Sequence, residues 1–326
     1  MKLGFDPNYF DTFQDKLFIE GQEAARRYLN FFVLLFLATL IATYGLLSAS
    51  TATVIGAMIV APLMGPIMGT TGAVILGQAS RAFRALALVV AGVLCVIIFS
   101  YLLAWIVPTP TISFQDNPEL ASRINPGLFA LLTALGAGAA GAFIVSRQEL
   151  ADSMGGVAIA ISLVPPLCVV GIALREAEWN AAGGALLLFT TNFLAILFAG
   201  GLTLALVGMT KYATQANQTK ARRRGFALVI VATLLITVPL ALTGYQNVRQ
   251  AIADDNAQNE VRLWLAGTHY RLVDVRVQGD QVEATVEGTG DLQPVHTLAN
   301  RMATVLQTPV LVRLRVIPEM SGTSVK

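Results

Sequence analysis

Two short stretches hold the residues best placed for chemistry, and that chemistry is coordination by the main chain. "IGAMIVAPLMGPIMG" (55–69) sets Pro62, Gly65 and Pro66 inside an apolar run, and "IAISLVPPLCV" (159–169) sets Pro165 and Pro166 inside another. Proline has no N–H, and its ring clashes with the carbonyl four residues back. Pro62 therefore strands the carbonyl of Met58, and Pro66 that of Pro62. Pro165 and Pro166 strand those of Ile161 and Ser162. In hydrocarbon such a carbonyl is costly unless protein, an ion or water meets it. Gly65 and Pro66 suit the first turn of a new half-helix, whose free N–H groups carry partial positive charge. Such a site could hold a cation on carbonyls or an anion on N–H groups. The competing reading is a pair of ordinary kinks repaired by neighbouring helices.

Polar side chains near these breaks are mild. Ser48, Ser50, Thr51 and Thr53 stand at the mouth of the first broken segment, and "FTTNF" buries Thr190, Thr191 and Asn192 in another apolar run. Asn192 either lines a path or bonds across helices as glue. Arg147, Glu149 and Asp152 form either a cytoplasmic gate or a solvated loop. The apolar interiors lack the carboxylates and histidines that proton pumps use, and a site without fixed charge disfavours multivalent cargo. His269 and His296 are the only histidines, and nothing matches HExxH, a P-loop or a nucleophile elbow. Cys95 and Cys168 form neither a disulfide framework nor a metal cluster. No enzyme, metal or cofactor is expected.

The elements that must position these residues are membrane spans. Of 326 residues, 55% are hydrophobic and 13% charged, too apolar for a soluble fold of this size. Seven segments qualify: about 28–47, 52–76, 85–107, 127–146, 153–174, 181–208 and 225–244. No cleavable signal is expected ahead of the first. With the N-terminus in the cytoplasm, twelve Lys and Arg fall inside, against Arg123 and Arg175 in the short outer loops. The net charge of +2 gives no reason to expect nucleic acid. Residues 1–29, with Phe10, Phe13 and Leu17 at helical spacing, form either a cytoplasmic interfacial helix or a lead-in packed on the bundle. The Pro-rich loop 107–127 is read as a connector or a lid. The run "GAGAAGAF" (136–143) is read as close helix packing.

Sliding the chain by one hundred residues aligns 55–69 with 155–169, pairing Gly56 with Gly156, Leu63 with Leu163 and Pro66 with Pro166. Each copy is the second span of a three-span group. Repeat 1 covers about 30–107 and repeat 2 about 127–209, with a seventh span at 225–244. Three crossings per group turn the second upside down, and inverted repeats with broken helices point to a midplane site. The fold class expected over 30–245 is an all-α polytopic domain with a 3+3 inverted repeat.

"IATYGLLSASTATVIGAMIVAPLMGPIMG", "GGVAIAISLVPPLCVVGIAL" and "GALLLFTTNFLAI" resemble a bacterial and archaeal membrane family, domain of unknown function 389. The resemblance covers roughly residues 30–210. It implies a multi-pass protein of a prokaryotic cytoplasmic membrane and carries over no ligand or catalytic residue. Many members are associated with a soluble region before the spans, whereas here one follows them.

Residues 246–326 are expected outside the cytoplasm as a small α+β domain. "RLVDVRVQG" and "QVEATVEG" alternate around "GD", a hairpin signal, between a helix ending near "WLAG" and a later helix and strand. This αββαβ order is similar to BON-like envelope domains, which implies lipid contact or self-association. The expected function is a transporter or channel for a small ion or solute, assembled as a homo-oligomer through its membrane helices and C-terminal domain. A non-transporting envelope scaffold or sensor, whose outer domain binds lipid or protein, is the alternative.

Overall fold

The computed structural model describes residues 5–106, 114, 116–124, 127–154, 163–212, 223–225, 227, 229–231, 252–278, 281–306 and 310–317. The chain divides into two compact units, Met1–Ala241 and Leu242–Lys326.

The first unit is helical. Short α1 (Phe10–Leu17) precedes α2 (Ala24–Leu47), α3 (Thr51–Val60), α4 (Met64–Leu76) and α5 (Ala79–Ile106). Then come α6 (Pro118–Ile124), α7 (Leu128–Val145), α8 (Gln148–Met154), α9 (Val164–Arg175) and α10 (Trp179–Val207). Helices α2, α5, α7 and α10 are each long and apolar enough to cross a membrane, and α3 with α4, bent by 50° at their joint, are so as a pair. Helix α9 is shorter, and its expected upstream half, 155–162, lies outside the described residues, as does most of the segment at 225–244. Among the described residues, four helices and one bent pair thus stand where five of the seven expected crossings fall, and the other two are described only in part. Several such apolar helices mark a multi-pass membrane protein.

Local chemistry sets the ends. Ser50 caps α3 by accepting the Thr53 N–H, and Gly77 closes α4 in the left-handed region at φ 72°. Between the two helices the three-residue joint, Ala61 to Leu63, contains Pro62.

Packing repeats at the same offset as the sequence. Helix α4 lies against α5 and α10, and α9 lies against the same two. Where α9 meets α5, the Ser100 hydroxyl donates to the Cys168 carbonyl at 2.9 Å. There a Cβ on Gly171 would stand 2.8 Å from Ser100 Cβ. Where α4 meets α10, a Cβ on Gly200 would stand 3.1 Å from Met68 and 3.5 Å from Thr71. Adding one hundred to 68, 71 and 100 gives 168, 171 and 200. The small-residue run in α7 also packs closely, with Gly138 against the backbone of Ile196.

Helix α1 buries its apolar stripe in protein. Phe13 and Leu17 are buried, the Leu17 carbonyl would be 2.9 Å from a Cβ on Gly69, and Phe10 stacks on Tyr212 at 4.7 Å. Helix α6 is docked rather than free. Asn117 donates to the Leu46 carbonyl, and Glu119 accepts from Thr51 and pairs with Arg123 at 2.8 Å.

The second unit follows the expected αββαβ order: helix α11 (252–265), β1 (Tyr270–Gln278), β2 (Gln281–Gly288), α12 (Val295–Leu306) and β3 (Leu311–Ile317). Strands β1 and β2 are antiparallel, with Gln278 opposite Gln281, and β3 joins β2 in parallel. Alternation along β2 sends Val282, Ala284 and Val286 into a core with Trp264, Leu298 and Met302.

Candidate functional site

The first break is built by Pro62. Helix α3 ends at Val60, and Ala61 turns extended at ψ 124° while its N–H still reaches the Ala57 carbonyl at 3.1 Å. The next residue, Pro62, has no N–H to give Met58, so the ladder stops there. Helix α4 resumes at Met64 in a new direction. Pro66 occupies its third position, where a backbone N–H would have no intrahelical partner in any case. Pro66 therefore belongs to the start of a half-helix and not to the fracture. Pro165 and Pro166 hold the equivalent second and third positions of α9 and are buried. Ile161 and Ser162 lie outside the described residues.

Two cavities meet at this fracture. One, of about 650 Å³, is walled by Met58, Ile59, Val60, Ala61 and Pro62 and extends to Met68, Ile144 and Ala151. The other, of about 300 Å³, is walled by Pro62, Gly65 and Pro66 together with Glu20, Arg27, Arg81 and Arg84. Lys16, Leu17, Leu34, Pro62 and Gly65 line both. Gly65 is exposed, and a Cβ there would meet no atom within 4 Å, so the first turn of α4 is open to the space beside it. Residues at the end of α3 line the larger cavity, and Gly65 in the first turn of α4 lines both.

Charged residues hold the chamber together. Arg27 of α2 donates to the carbonyls of Asp15, Phe18 and Lys16 at 2.9, 2.8 and 3.2 Å, taking up acceptors that the end of α1 leaves unpaired. Arg81 of α5 pairs with Glu20 at 2.7 Å, donates to Gln14 and Gln78, and lies over the Phe18 ring. Arg84 reaches Glu20 at 3.4 Å with its side chain 64% exposed. Sequence reasoning used these arginines only to orient the spans. The signal for them was the spacing of Arg81 and Arg84, one turn apart at the start of α5.

Gly56, Arg147, Glu149, Pro165, Pro166, Thr190, Thr191 and Asn192 are not among the residues that wall either chamber. Gly56 is half-buried on α3, one turn above the break. The hydroxyls of Thr190 and Thr191 donate to the carbonyls of Leu186 and Leu187 in their own helix, each at 2.8 Å. Asn192 is buried at 5% exposure. Arg147 lies 5.4 Å over the Phe143 ring and Glu149 is exposed in α8, which touches the larger cavity through Ala151. Asp152 falls in the same helix. The first break is thus a lined space. Pro165, Pro166, Thr190, Thr191 and Asn192 stand apart from its two cavities.

Residues 58–198, which contain the whole fracture and both half-helix starts, match the family described as "Domain of unknown function (DUF389)". This stretch is similar to that family. An uncharacterised protein of Methanocaldococcus jannaschii is 28% identical over 206 residues, which is 63% of this chain and 63% of that protein. The chain thus spans under two thirds of the length of the curated relative it matches. No solved structure matches it. The DUF389 description names no function, so the chemistry must be argued from the break.

Proposed function

We propose that this protein is a membrane transporter or channel for a small ion or solute, with its path at the joint between α3 and α4. One observation carries the reading: the residues on both sides of the Pro62 joint, where Met58 loses its ladder N–H, line two cavities that share a wall. A kink repaired by packing would leave no such space. The matching contacts of α4 and α9 on α5 and α10 support a 3+3 inverted repeat of broken spans. In this reading a seventh span follows, the N-terminus is cytoplasmic and the BON-like unit lies outside a prokaryotic inner membrane.

The test is flux into liposomes containing the purified full chain. Pro62→Ala supplies the N–H that Met58 lacks and should lower flux at least tenfold while the protein remains monodisperse. Unchanged flux in a folded Pro62→Ala protein would refute the path.

A second reading rests on the C-terminal unit. Its sheet ends on β1 and β3, where Val273 and Leu311 are 51% and 57% exposed. Edges of this kind favour pairing with another chain, so this unit would join protomers or bind an envelope partner. Absent flux for every ion and solute tried, with a tight ligand of the outer domain, would favour a scaffold or sensor.

A further inference from the structure

We infer that the chamber at the first break selects a small anion. This inference rests on the proposed transport reading and adds the sign of the cargo. Among the described residues, the 300 Å³ chamber is walled by four cationic side chains, Lys16, Arg27, Arg81 and Arg84, against one carboxylate, Glu20. Arg27 donates to carbonyls, and Gln14 and Gln78 take part of Arg81; these bonds satisfy donors without cancelling charge. Glu20 is shared between Arg81 and Arg84. The wall is therefore positive in sum, and partly enclosed spaces lined by one sign of charge concentrate ions of the other.

The floor of the chamber has the same sign. Pro62, Gly65 and Pro66 form it, and the first turn of α4 presents N–H groups whose partial charge adds to the side chains. Gly65 has no side chain to cover them, and the space beside its Cα is open. A cation entering by this route would meet four like charges before reaching the α3 carbonyls. A small anion would exchange part of its water for arginine and main-chain donors. A volume of this size admits a halide or nitrate with some of its hydration, and the weak, shared contacts suit passage better than tight capture.

The test uses the full chain in vesicles of phosphatidylcholine alone, which keeps anionic headgroups from the chamber, with nitrate and potassium flux measured separately. Nitrate should exceed potassium. Arg84→Gln should lower nitrate flux roughly threefold to tenfold, the effect of removing one nearby charge in a partly screened site. Arg84 suits the test because its side chain is mostly exposed and its ion pair with Glu20 is long, so the fold should persist. Potassium flux without nitrate flux would overturn the anion assignment and leave the transport reading standing. If neither ion moves, nitrate titration of the full chain in neutral detergent decides the anion assignment, while the transport reading stands or falls with the flux of other solutes. Saturable binding weakened by Arg84→Gln would support the anion site, and absent binding would overturn it.

Discussion

Replacing Gly171 by alanine should force α9 away from α5. A Cβ at this position would lie 2.6 Å from the Ile97 carbonyl oxygen, 2.8 Å from Ser100 Cβ and 2.8 Å from the Tyr101 nitrogen. Ordinary contact begins near 3.4 Å, so the helices must part by about 0.8 Å, and two of the three obstacles are main chain that cannot rotate aside. The same movement strains the buried bonds from Thr43 to Ser100 at 3.0 Å and from Ser100 to the Cys168 carbonyl at 2.9 Å. Overpacking of this kind costs about 1–3 kcal/mol. Alanine also gains about 1 kcal/mol over glycine in a helix, so a second glycine must measure that gain alone. Gly56 serves, since a Cβ there meets nothing within 4 Å. Thermal unfolding of the full chain in detergent should place Gly171→Ala roughly 5 °C below Gly56→Ala, taking 2–4 °C per kcal/mol for a domain of this size. Equal melting temperatures would refute the close approach of α5 and α9, and with it the packing that makes α9 the counterpart of α4.

Other perturbations have readouts as direct. Arg27→Ala removes three bonds to the end of α1; trypsin should then cut at Lys16 several times faster, with about 1–2 kcal/mol of local stability lost. Glu119→Gln leaves the 14%-exposed Arg123 side chain without its counter-charge and should cost about 2 kcal/mol in a thermal melt, given that fully buried pairs cost more. Trp264→Phe deletes the bond from the indole N–H to the Thr297 hydroxyl at 3.0 Å. Hydrogen exchange across 252–265 should quicken by about fivefold, corresponding to about 1 kcal/mol.

Much of this architecture is written in local patterns, and the parts that are not depend on distant contacts. Long uncharged apolar runs announce α2, α5, α7 and α10, because a membrane demands length and backbone pairing from one segment. Pro62 announces the joint for an equally local reason. Alternation in "QVEATVEG" announces β2, since one face of a strand must enter the core. The charged wall of the chamber was not legible. Lys16, Glu20 and Arg27 reach it only because α1 folds back on α4, where Gly69 and Gly72 leave room, and nothing near residue 16 encodes that return. Thr190 and Thr191 misled for a different reason: a helical threonine satisfies its hydroxyl on the carbonyl four residues back, so polarity in sequence became self-sufficiency in space.

The seat of α1 bears on how the molecule is made. Phe5 is tied to the Val207 carbonyl, Phe10 stacks on Tyr212, and Leu17 rests against α4. A ribosome delivers residues 5–17 well before α10, yet their resting place is finished only after residue 212 has been translated and inserted. This segment is therefore among the last of the helical unit to settle, and until it does the space at Pro62 stands without the wall that Lys16 and Leu17 supply. Nascent chains halted before α10 should hold that gap unguarded, a state that quality-control proteases can distinguish from the finished protein.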